Sequence, residues 1–344
     1  MPEPMSDSLD LDRLNRFLAG RDKIGDVTSA TKTATGQSNP TYILDGPAGR
    51  WVLRKKPDGP LLKSAHAIER EHRVMKALQD SGVPVPRMML LCEDPGVLGT
   101  AFFIMEFVPG RSEDDPRCPG LDNAGRARLY DGMNRALATL HSLNPADLGL
   151  EDFGRPGDYF ARQLSRWTRQ YRASETEVQQ DLEDLILWLE GQKTPAQDRL
   201  ALVHGDWRLD NLLFDPETSE IRAVLDWELS TLGHPLADLG AQLMQWAMPV
   251  GVEGRGLGGV DRAALGLPTD AEYIARYAER AGLDEVPDMT YPVAFSFFRM
   301  AAILQGVKKR ALDGNASNPQ SALAMSAFIP MFARKALDRI NGAV

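Results

Sequence analysis

One short stretch constrains this chain more than any other, because it places an aspartate and an asparagine five residues apart beside an apolar run. Asp206 and Asn211 lie within Val203-His204-Gly205-Asp206-Trp207-Arg208-Leu209-Asp210-Asn211-Leu212-Leu213-Phe214. Downstream, Asp226 and Glu228 stand two residues apart, so an extended backbone would direct both carboxylates to one side. We expect short β-like segments to carry these residues in an otherwise helical part of the chain.

These residue types match the needs of phosphoryl transfer, in which a carboxylate orients the attacking hydroxyl. We predict that Asp206 has this role. Magnesium takes oxygen ligands from few protein groups, so we predict a metal site at Asn211 and Asp226, with Glu228 contacting the metal through water. Arg208 would neutralise charge on the transferred group, or else it would pair structurally with Asp210.

The spacing resembles the kinase signature H-R-D-L-x-x-x-N followed by D-F-G, except that the two motifs read H-G-D and D-W-E. This variant resembles the aminoglycoside phosphotransferase-like family of small-molecule kinases. The segment from His204 to Gly240 is most similar to the kinase-like portion fused to acyl-CoA dehydrogenases and to its free-standing bacterial relatives. The resemblance extends over nearly the whole chain, and it implies ATP and Mg²⁺ as cofactors and a hydroxyl of a small molecule as the acceptor.

The order of apolar segments predicts an α+β fold with the two-lobe architecture of protein kinases. Strand-like segments dominate residues 1–108, which predicts a small β-rich N-terminal lobe that binds nucleotide. Helical patterns dominate residues 109–344, which predicts a larger helical C-terminal lobe with the catalytic loop and the acceptor site.

Local signals within this frame predict one turn and two helix starts. Asp45-Gly46 lies between two apolar runs and favours a hairpin. Ser174 with Glu177, and Thr269 with Glu272, form the spacing of a capping box ahead of a helix.

The nucleotide is expected in the N-terminal lobe. Kinases place a cation on a strand and pair it with a glutamate of the next helix, and we predict Arg54 and Glu71 for these positions. Lys55 is the alternative phosphate contact, on the opposite face of the strand. The resemblance implies two further nucleotide contacts, namely a phosphate loop and a hinge that reads the adenine edge, at Gly36, Ser38 and Asn39 and at Glu106 and Val108. An ordinary hairpin turn and a surface ion pair are the competing interpretations of the loop and of Glu71.

The acceptor side has weaker sequence signals. The segments around Trp167 and Arg299 resemble the acyl-CoA-dehydrogenase-linked branch and combine aromatic and arginine residues. We predict that Arg299 meets an anionic group of the acceptor and that Trp167 meets its apolar part, as in a hydroxylated acyl acid or acyl-CoA. An aromatic stripe in a helical core is the competing interpretation.

The composition of the chain argues against several other classes of protein. The net charge is −9 and no basic run occurs, so we expect no nucleic-acid partner. No apolar run approaches the length of a membrane span, and two cysteines are too few for a disulfide framework, so a cytoplasmic enzyme is expected. The oligomeric state stays unknown.

Other functions remain open from the sequence: a pseudokinase-like module that binds nucleotide, an aminoglycoside-type antibiotic kinase, and a metal-dependent hydrolase. The hydrolase would use four ligands: His204, Asp206, Asp226 and His234.

Overall fold

The computed structural model describes residues 9–21, 24–33, 39–57, 67–155, 157–197, 200–251, 256–315 and 318–342. Its helices are α1 (Leu11–Leu18), α2 (Ile68–Leu78), α3 (Pro95–Leu98), α4 (Asn123–Ser142), α5 (Tyr159–Ser174), α6 (Gln180–Gly191), α7 (Leu236–Ala247), α8 (Asp270–Ala281), α9 (Thr290–Leu312), α10 (Pro319–Ser326) and α11 (Ile329–Ile340). Its strands are β1 (Ser29–Lys32), β2 (Thr41–Gly46), β3 (Gly49–Lys55), β4 (Met88–Cys92), β5 (Phe102–Glu106), β6 (Ala201–Val203), β7 (Leu212–Phe214), β8 (Ile221–Val224) and β9 (Thr231–Gly233).

The chain divides into two units, and the first unit consists of Met1–Ser112 and Asn211–Ser230. Its main sheet is antiparallel and has the strand order β1-β2-β3-β5-β4. Because side chains alternate along a strand, Leu53 and Ile104 lie on the same face of the sheet. On that face they pack in a hydrophobic core that also includes residues of α1. The neighbouring cross-strand pair, Arg54 and Phe103, faces the other way, and there the ring of Phe103 lies 6.1 Å from that of His72 in α2. Helix α2 therefore covers the sheet face that also carries Arg54.

The segment Asn211–Ser230 packs with the first unit, whereas the predicted division at residue 108 places it in the C-terminal lobe. Backbone hydrogen bonds explain this difference. The N–H of Arg111 donates to the carbonyl of Phe214, and the N–H of Phe214 donates to the carbonyl of Arg111, each over 2.9 Å. The N–H of Val224 donates to the carbonyl of Pro84 over 2.8 Å. The hairpin of β7 and β8 thus extends the first unit, and a sequence pattern cannot show this long-range pairing.

The second unit consists of Glu113–Asp210 and Thr231–Val344 and is mainly helical. Helix α9, 23 residues long, packs against α5, α6, α7, α10 and α11. Gly240 of α7 permits a close approach to α9, because a Cβ atom at this position would lie 2.7 Å from the carbonyl oxygen of Pro292. A short antiparallel pair, β6 with β9, supports the loop that follows Val203. Among the described residues, no helix has the length and apolar character needed to cross a membrane.

The predicted α+β fold, with an antiparallel sheet in the first part of the chain and helices in the second, is confirmed. The capping box of Thr269 and Glu272 is present at the start of α8. The capping box predicted at Ser174 is wrong, because Ser174 ends α5 and its hydroxyl donates to the carbonyls of Gln170 and Tyr171 in that helix. Helix α6 begins later, at Gln180.

The predicted hairpin exists, but its turn lies two residues further on. Strands β2 and β3 pair as far as Gly46 and Gly49, so the turn falls on Pro47 and Ala48. Gly46 stays in the strand because backbone passes close to it: a Cβ atom there would lie 2.2 Å from the carbonyl oxygen of Asp26. Asp45-Gly46 is therefore a site of close backbone approach and not a turn.

Candidate active site

Arg54 is the centre of a charged cluster in the first unit. Its Nε lies 3.0 Å from Oε2 of Glu71, and its Nη2 lies 3.0 Å from Oδ1 of Asp226 and 3.7 Å from Oε2 of Glu228. The side chains of Arg54 and Glu71 are 11% and 3% exposed, so water screens this pair poorly. The structure thus brings together four of the residues that the sequence predicted to handle nucleotide and metal.

Strand geometry decides which cation joins this cluster. Arg54 and Lys55 are adjacent in β3, so their side chains leave opposite faces of the sheet. Lys55 is buried on the far face, where its Nζ donates to the carbonyl oxygen of Leu98 over 3.2 Å. Glu71, on α2, meets Arg54 and not Lys55.

The charges in the cluster shift one another's pKa values. Burial disfavours the charged form of Arg54, but Glu71, Asp226 and Glu228 outweigh burial and raise the pKa of the guanidinium further. Burial is also the largest influence on Glu71. Together with the charges of Asp226 and Glu228, and against the charge of Arg54, burial raises the pKa of the Glu71 carboxyl to about 7.

The hairpin of β7 and β8 positions the predicted metal ligands. Asn211 directly precedes β7, and its carbonyl accepts the N–H of Leu225 over 2.8 Å, just before Asp226. Asp226 has a left-handed backbone, with φ 62° and ψ 61°, which is uncommon outside glycine and turns its side chain out of the strand direction. Glu228 follows within a single helical turn, Trp227–Leu229.

The donor set of this hairpin fits a hard divalent cation. Asn211 and Asp226 supply amide and carboxylate oxygens, which are the ligands that Mg²⁺ prefers. Three carboxylates face the single guanidinium of Arg54, so the cluster has excess negative charge that a divalent cation would neutralise. No group of three or more His, Cys, Asp or Glu side chains that could hold a metal occurs in the described ranges. A cation here would therefore take its remaining ligands from nucleotide phosphates or water.

The loop around Asp206 belongs to the second unit and is held tightly. Gly205 has φ +84°, a conformation that side-chain-bearing residues rarely adopt. The N–H of Asp206 donates to Nδ1 of His204 over 3.3 Å. Nε of Arg208 lies 3.4 Å from Oδ2 of Asp206, and its Nη2 donates to Oδ2 of Asp210 over 2.8 Å. The Asp206 side chain remains 29% exposed, so its carboxylate is accessible from solvent.

The structure bears out one of the two interpretations of Arg208, and its effect on a transferred group stays a prediction. Arg208 pairs with Asp210, as the structural interpretation predicts, and it also lies beside the carboxylate of Asp206.

Asp238 holds the same loop through hydrogen bonds to its backbone. Its Oδ2 accepts the N–H of His204 over 2.6 Å, and its Oδ1 accepts the N–H of Gly205 over 2.8 Å. Oδ2 also lies 3.1 Å from Nε2 of His141 in α4. Burial alone would raise the pKa of Asp238, but the hydrogen bond of His141, the electrostatic effects of His141 and His204 and the N–H of Gly205 outweigh it and lower the pKa. Nothing in the local sequence pattern around His141 indicated its contact with Asp238.

Trp167 and Arg299 come together in the second unit. The guanidinium of Arg299 lies 5.8 Å from the centre of the Trp167 ring, and that of Arg166 lies 5.4 Å from it. Nη2 of Arg299 also donates to the carbonyl oxygen of Gly205 over 3.2 Å. Two guanidinium groups thus flank one indole beside the loop that carries Asp206. Arg166 was not among the predicted site residues, although it directly precedes Trp167.

The predicted nucleotide loop and hinge are described only in part. Gly36 and Ser38 lie outside the described residues, and Asn39 is buried, with its carbonyl accepting the hydroxyl of Thr41 over 3.1 Å. Glu106 ends β5, where its N–H donates to the carbonyl of Arg87 over 2.9 Å. Val108 follows the strand and is half-buried.

The two histidines proposed for a metal hydrolase have other partners. Nδ1 of His204 accepts the N–H of Asp206, while Nε2 of His234 lies 3.1 Å from the carbonyl of Ala196. Nδ1 of His234 accepts the N–H of Leu236. The lone pairs that would bind a transition metal are used to fix backbone, which removes the basis of the hydrolase hypothesis.

Comparison with known proteins identifies the family to which this chain belongs. The phosphotransferase enzyme family matches residues 29–288. Mouse acyl-CoA dehydrogenase family member 10 is 49% identical over 284 residues, which cover 82% of this chain and 26% of that protein. The chain spans about a quarter to two fifths of the length of the curated relatives that it matches first.

Solved structures of similar proteins support the same family assignment. A Ralstonia eutropha protein assigned as an aminoglycoside phosphotransferase is 43% identical, with a TM-score of 0.87 over 97% of this chain and 99% of that chain. Spectinomycin phosphotransferase, solved with ADP and spectinomycin, shares the fold at 15% identity, with a TM-score of 0.63 over 95% of this chain and 98% of that chain. With its kinase-like arrangement of Arg54, Glu71 and Asp226, this chain belongs to the phosphotransferase enzyme family.

Proposed function

We propose that this chain is an ATP- and magnesium-dependent phosphotransferase that phosphorylates a hydroxyl of a small molecule. The observation that carries the proposal is the buried contact of Arg54 with both Glu71 and Asp226. Kinases use a strand cation, a helix glutamate and a metal-binding aspartate in this combination to hold nucleotide phosphates. A general surface ion pair would not require burial, and it would not converge on a third residue from a distant hairpin.

Asp206 orients the acceptor hydroxyl in this proposal. Phosphoryl transfer passes through a loose transition state, so positioning of the hydroxyl matters more than the basicity of the carboxylate. The hydrogen bonds around His204 and Gly205 fix the backbone on which Asp206 stands, and the side chain remains accessible. Arg208, held by Asp210, keeps a positive charge beside the carboxylate and stabilises the charge of the phosphoryl group.

Asn211 and Asp226 would hold the magnesium ion, with Glu228 contacting it through water. A metal held by these residues would neutralise phosphate charge at the site. Arg54 then shares its guanidinium between Glu71 and the phosphates, which orients the nucleotide. The backbone of Gly36, Ser38 and Asn39 would cradle phosphates, and Glu106 and Val108 would read the adenine edge. The ADP bound to spectinomycin phosphotransferase, a protein of the same fold, supports nucleotide use.

The acceptor is proposed to be anionic with an apolar part, such as a hydroxylated acyl acid or acyl-CoA. Arg166 and Arg299 flank the indole of Trp167, which combines charge for an anion with an apolar surface. The identity of 49% to part of an acyl-CoA dehydrogenase family member favours this chemistry over a cationic aminoglycoside. An aminoglycoside acceptor would need carboxylates at the place where these guanidinium groups lie.

One experiment tests the proposal directly. The protein would be incubated with ATP, MgCl₂ and a panel of hydroxy acids, hydroxyacyl-CoA esters and aminoglycosides, and phosphorylated products would be sought by mass spectrometry. A phosphorylated hydroxyacyl product is expected. Asp206→Asn should lower turnover by roughly 10²- to 10⁴-fold, the range for a lost acid–base group, without weakening nucleotide binding. Asp284→Asn is the matched control, because this exposed carboxylate lies in the same unit.

Three results would contradict the proposal. Unchanged turnover in Asp206→Asn would remove this residue from the reaction. Tight nucleotide binding without a product from any acceptor would instead favour a pseudokinase-like binding module, and phosphorylated aminoglycosides alone would favour an antibiotic kinase.

A further inference from the structure

A cavity of about 600 Å³ lies in the second unit, and no residue of the loop that carries Asp206 lines it. It is bounded by α5, by the end of α6 with the residues that follow, and by the start of α9. Its volume falls in the usual range of small-molecule sites, roughly 300–1,000 Å³. Its wall includes Leu164, Thr168, Arg169, Leu189, Lys193 and Tyr291.

The cavity lies on a different face of α5 from the predicted acceptor site. Leu164 and Thr168 are four residues apart and therefore share one face of the helix. Consecutive residues differ by about 100° around a helix, so Trp167 leaves α5 in another direction, where it meets Arg299. Neither Trp167 nor Arg299 lines the cavity. A ligand in this cavity would therefore be separate from the acceptor of the proposed reaction.

Two hydroxyl groups of the cavity wall, those of Thr168 and Tyr291, are buried and have no hydrogen-bond partner among the residues that the structure describes. Burial raises the pKa of the Tyr291 hydroxyl to about 12, and the negative charge of Asp158 adds to this effect, so the hydroxyl keeps its proton. A buried hydroxyl without a partner is unfavourable. An oxygen atom of a ligand could accept a hydrogen bond from each of these hydroxyls.

Two cations of the same wall are available to a ligand. Arg169 and Lys193 are exposed, and neither forms an ion pair within the described part of the chain. Glu190 also lines the cavity and offsets one of these positive charges, so the wall has a net charge of +1. A ligand with one negative charge would neutralise the wall.

The polar groups lie towards the two ends of an aliphatic stretch. Arg169 directly follows Thr168 on α5, which places a cation beside one of the unpaired hydroxyls. Tyr291 lies near the start of α5, where its ring is 5.5 Å from that of Phe160. Eight residues separate Phe160 from Thr168, which corresponds to about 12 Å along a helix. Leu164 lies midway between them, so the cavity suits an elongated ligand with an apolar middle.

We propose that this cavity is a second small-molecule site, which binds an organic acid whose aliphatic chain ends in a neutral oxygen group. The carboxylate meets Arg169 and the hydroxyl of Thr168, and the aliphatic chain crosses Leu164. The neutral oxygen accepts a hydrogen bond from Tyr291. The opposite orientation is disfavoured, because the negative charge of Asp158 acts on Tyr291 and would repel a carboxylate there. The proposal concerns binding alone and does not rest on the phosphotransferase reaction.

Methyl NMR of the full chain, without nucleotide or metal, tests this site. The leucine methyl groups would be labelled with ¹³C, and 6-hydroxyhexanoate would be titrated as the probe. We expect saturable shifts in the methyl resonances of Leu164 and Leu189. Hexanoate lacks the terminal oxygen and should bind roughly 2- to 10-fold more weakly, the equivalent of one neutral hydrogen bond. The uncharged 1,6-hexanediol should bind roughly 10- to 100-fold more weakly, because it cannot form the charged contact.

Two substitutions assign the ends of the probe. Tyr291→Phe should remove the difference between 6-hydroxyhexanoate and hexanoate without lowering the melting temperature, because the lost hydroxyl has no partner. Arg169→Met should weaken the binding of both acids roughly 10- to 100-fold and leave 1,6-hexanediol unaffected. Arg172→Met is the matched control and should bind like the wild type, because Arg172 lies on the same helix, pairs with Glu183 and does not line the cavity.

Three results would overturn the proposal. Resonances of Leu164 and Leu189 that do not move with 6-hydroxyhexanoate would show that the cavity takes no ligand of this class. Equal affinities for the three compounds in the wild type would show that the cavity selects only for apolar surface. Binding that is lost in Arg299→Met but kept in Arg169→Met would place the probe in the acceptor site instead.

Discussion

Replacement of Arg54 by methionine tests the charged cluster most sharply. Methionine keeps an unbranched apolar stem and removes the guanidinium that contacts Glu71, Asp226 and Glu228. Removal of one partner from a buried ion pair costs about 3–5 kcal/mol, because the other charge stays buried without compensation. At roughly 2–4 °C per kcal/mol for a domain of 150–250 residues, the melting temperature should fall by about 6–20 °C.

The structure also predicts how this loss depends on pH and on metal. The pKa of Glu71 is already raised to about 7, so acid neutralises this carboxyl and reduces the repulsion that remains in the variant. The destabilisation should therefore be smaller at pH 6 than at pH 8. Without the guanidinium, MgCl₂ alone should restore part of the lost stability, because a divalent cation can replace the missing charge beside Asp226.

Thermal unfolding of the nucleotide-free protein, followed by fluorescence with and without MgCl₂, measures both effects. Arg50→Met is the matched control, since Arg50 lies on the same strand in an ion pair with Asp45 and its side chain is 53% exposed. Exposed pairs contribute about 0–1 kcal/mol, so this control should melt close to the wild type. If Arg54→Met destabilised the protein no more than Arg50→Met does, the buried contacts of Arg54 would contribute no more to stability than an exposed ion pair.

Three further substitutions test other parts of the structure. Arg299→Met should raise the KM for an anionic acceptor and leave the KM for ATP unchanged in steady-state kinetics; a fall in kcat alone would assign Arg299 to the carbonyl of Gly205 instead. Gly240→Ala should destabilise the protein by about 1–3 kcal/mol in urea titration, because the new Cβ atom would meet the carbonyl of Pro292; an unchanged midpoint would show that α7 and α9 can separate without cost. Glu71, whose pKa is raised from 4.5 to about 7, binds a proton more tightly in the folded than in the unfolded chain, so its contribution to stability is complete below pH 4.5 and is lost as the pH rises through 7. Glu71→Gln should flatten that decline in melting temperature between about pH 5 and pH 8, and an unaltered slope would mean that other groups cause it.

Local sequence patterns predicted some features that depend on local physics, whereas the capping box at Ser174 and the turn at Asp45-Gly46 were wrong. Alternation along β3 separated Arg54 from Lys55, and the capping box at Thr269 follows from two side chains three residues apart. The placement of Asn211–Ser230 in the first unit depends on backbone pairing with Arg111 and Pro84, to which the sequence gives no local signal.

The same distinction applies to the site. Asp206 and Asn211 could be proposed from the sequence because their spacing is short and their chemistry is specific. The contact of His141 with Asp238 was not predicted because the two residues lie on helices far apart in sequence, where a buried histidine looks like any other core residue. The convergence of Arg299 on the carbonyl of Gly205 was missed for a related reason, since no side-chain pattern reports which carbonyl a guanidinium will reach.

The arginine at position 54 has a practical consequence for chemical labelling. Reagents that carry an acyl phosphate on ATP mark kinases by transferring the acyl group to a lysine amine beside the phosphates. A guanidinium whose pKa is raised by three carboxylates stays protonated and does not accept an acyl group. The neighbouring amine, that of Lys55, is buried on the other face of the sheet against the carbonyl of Leu98. Such a reagent would therefore find no acylable amine at position 54, and Arg54→Lys would place one there.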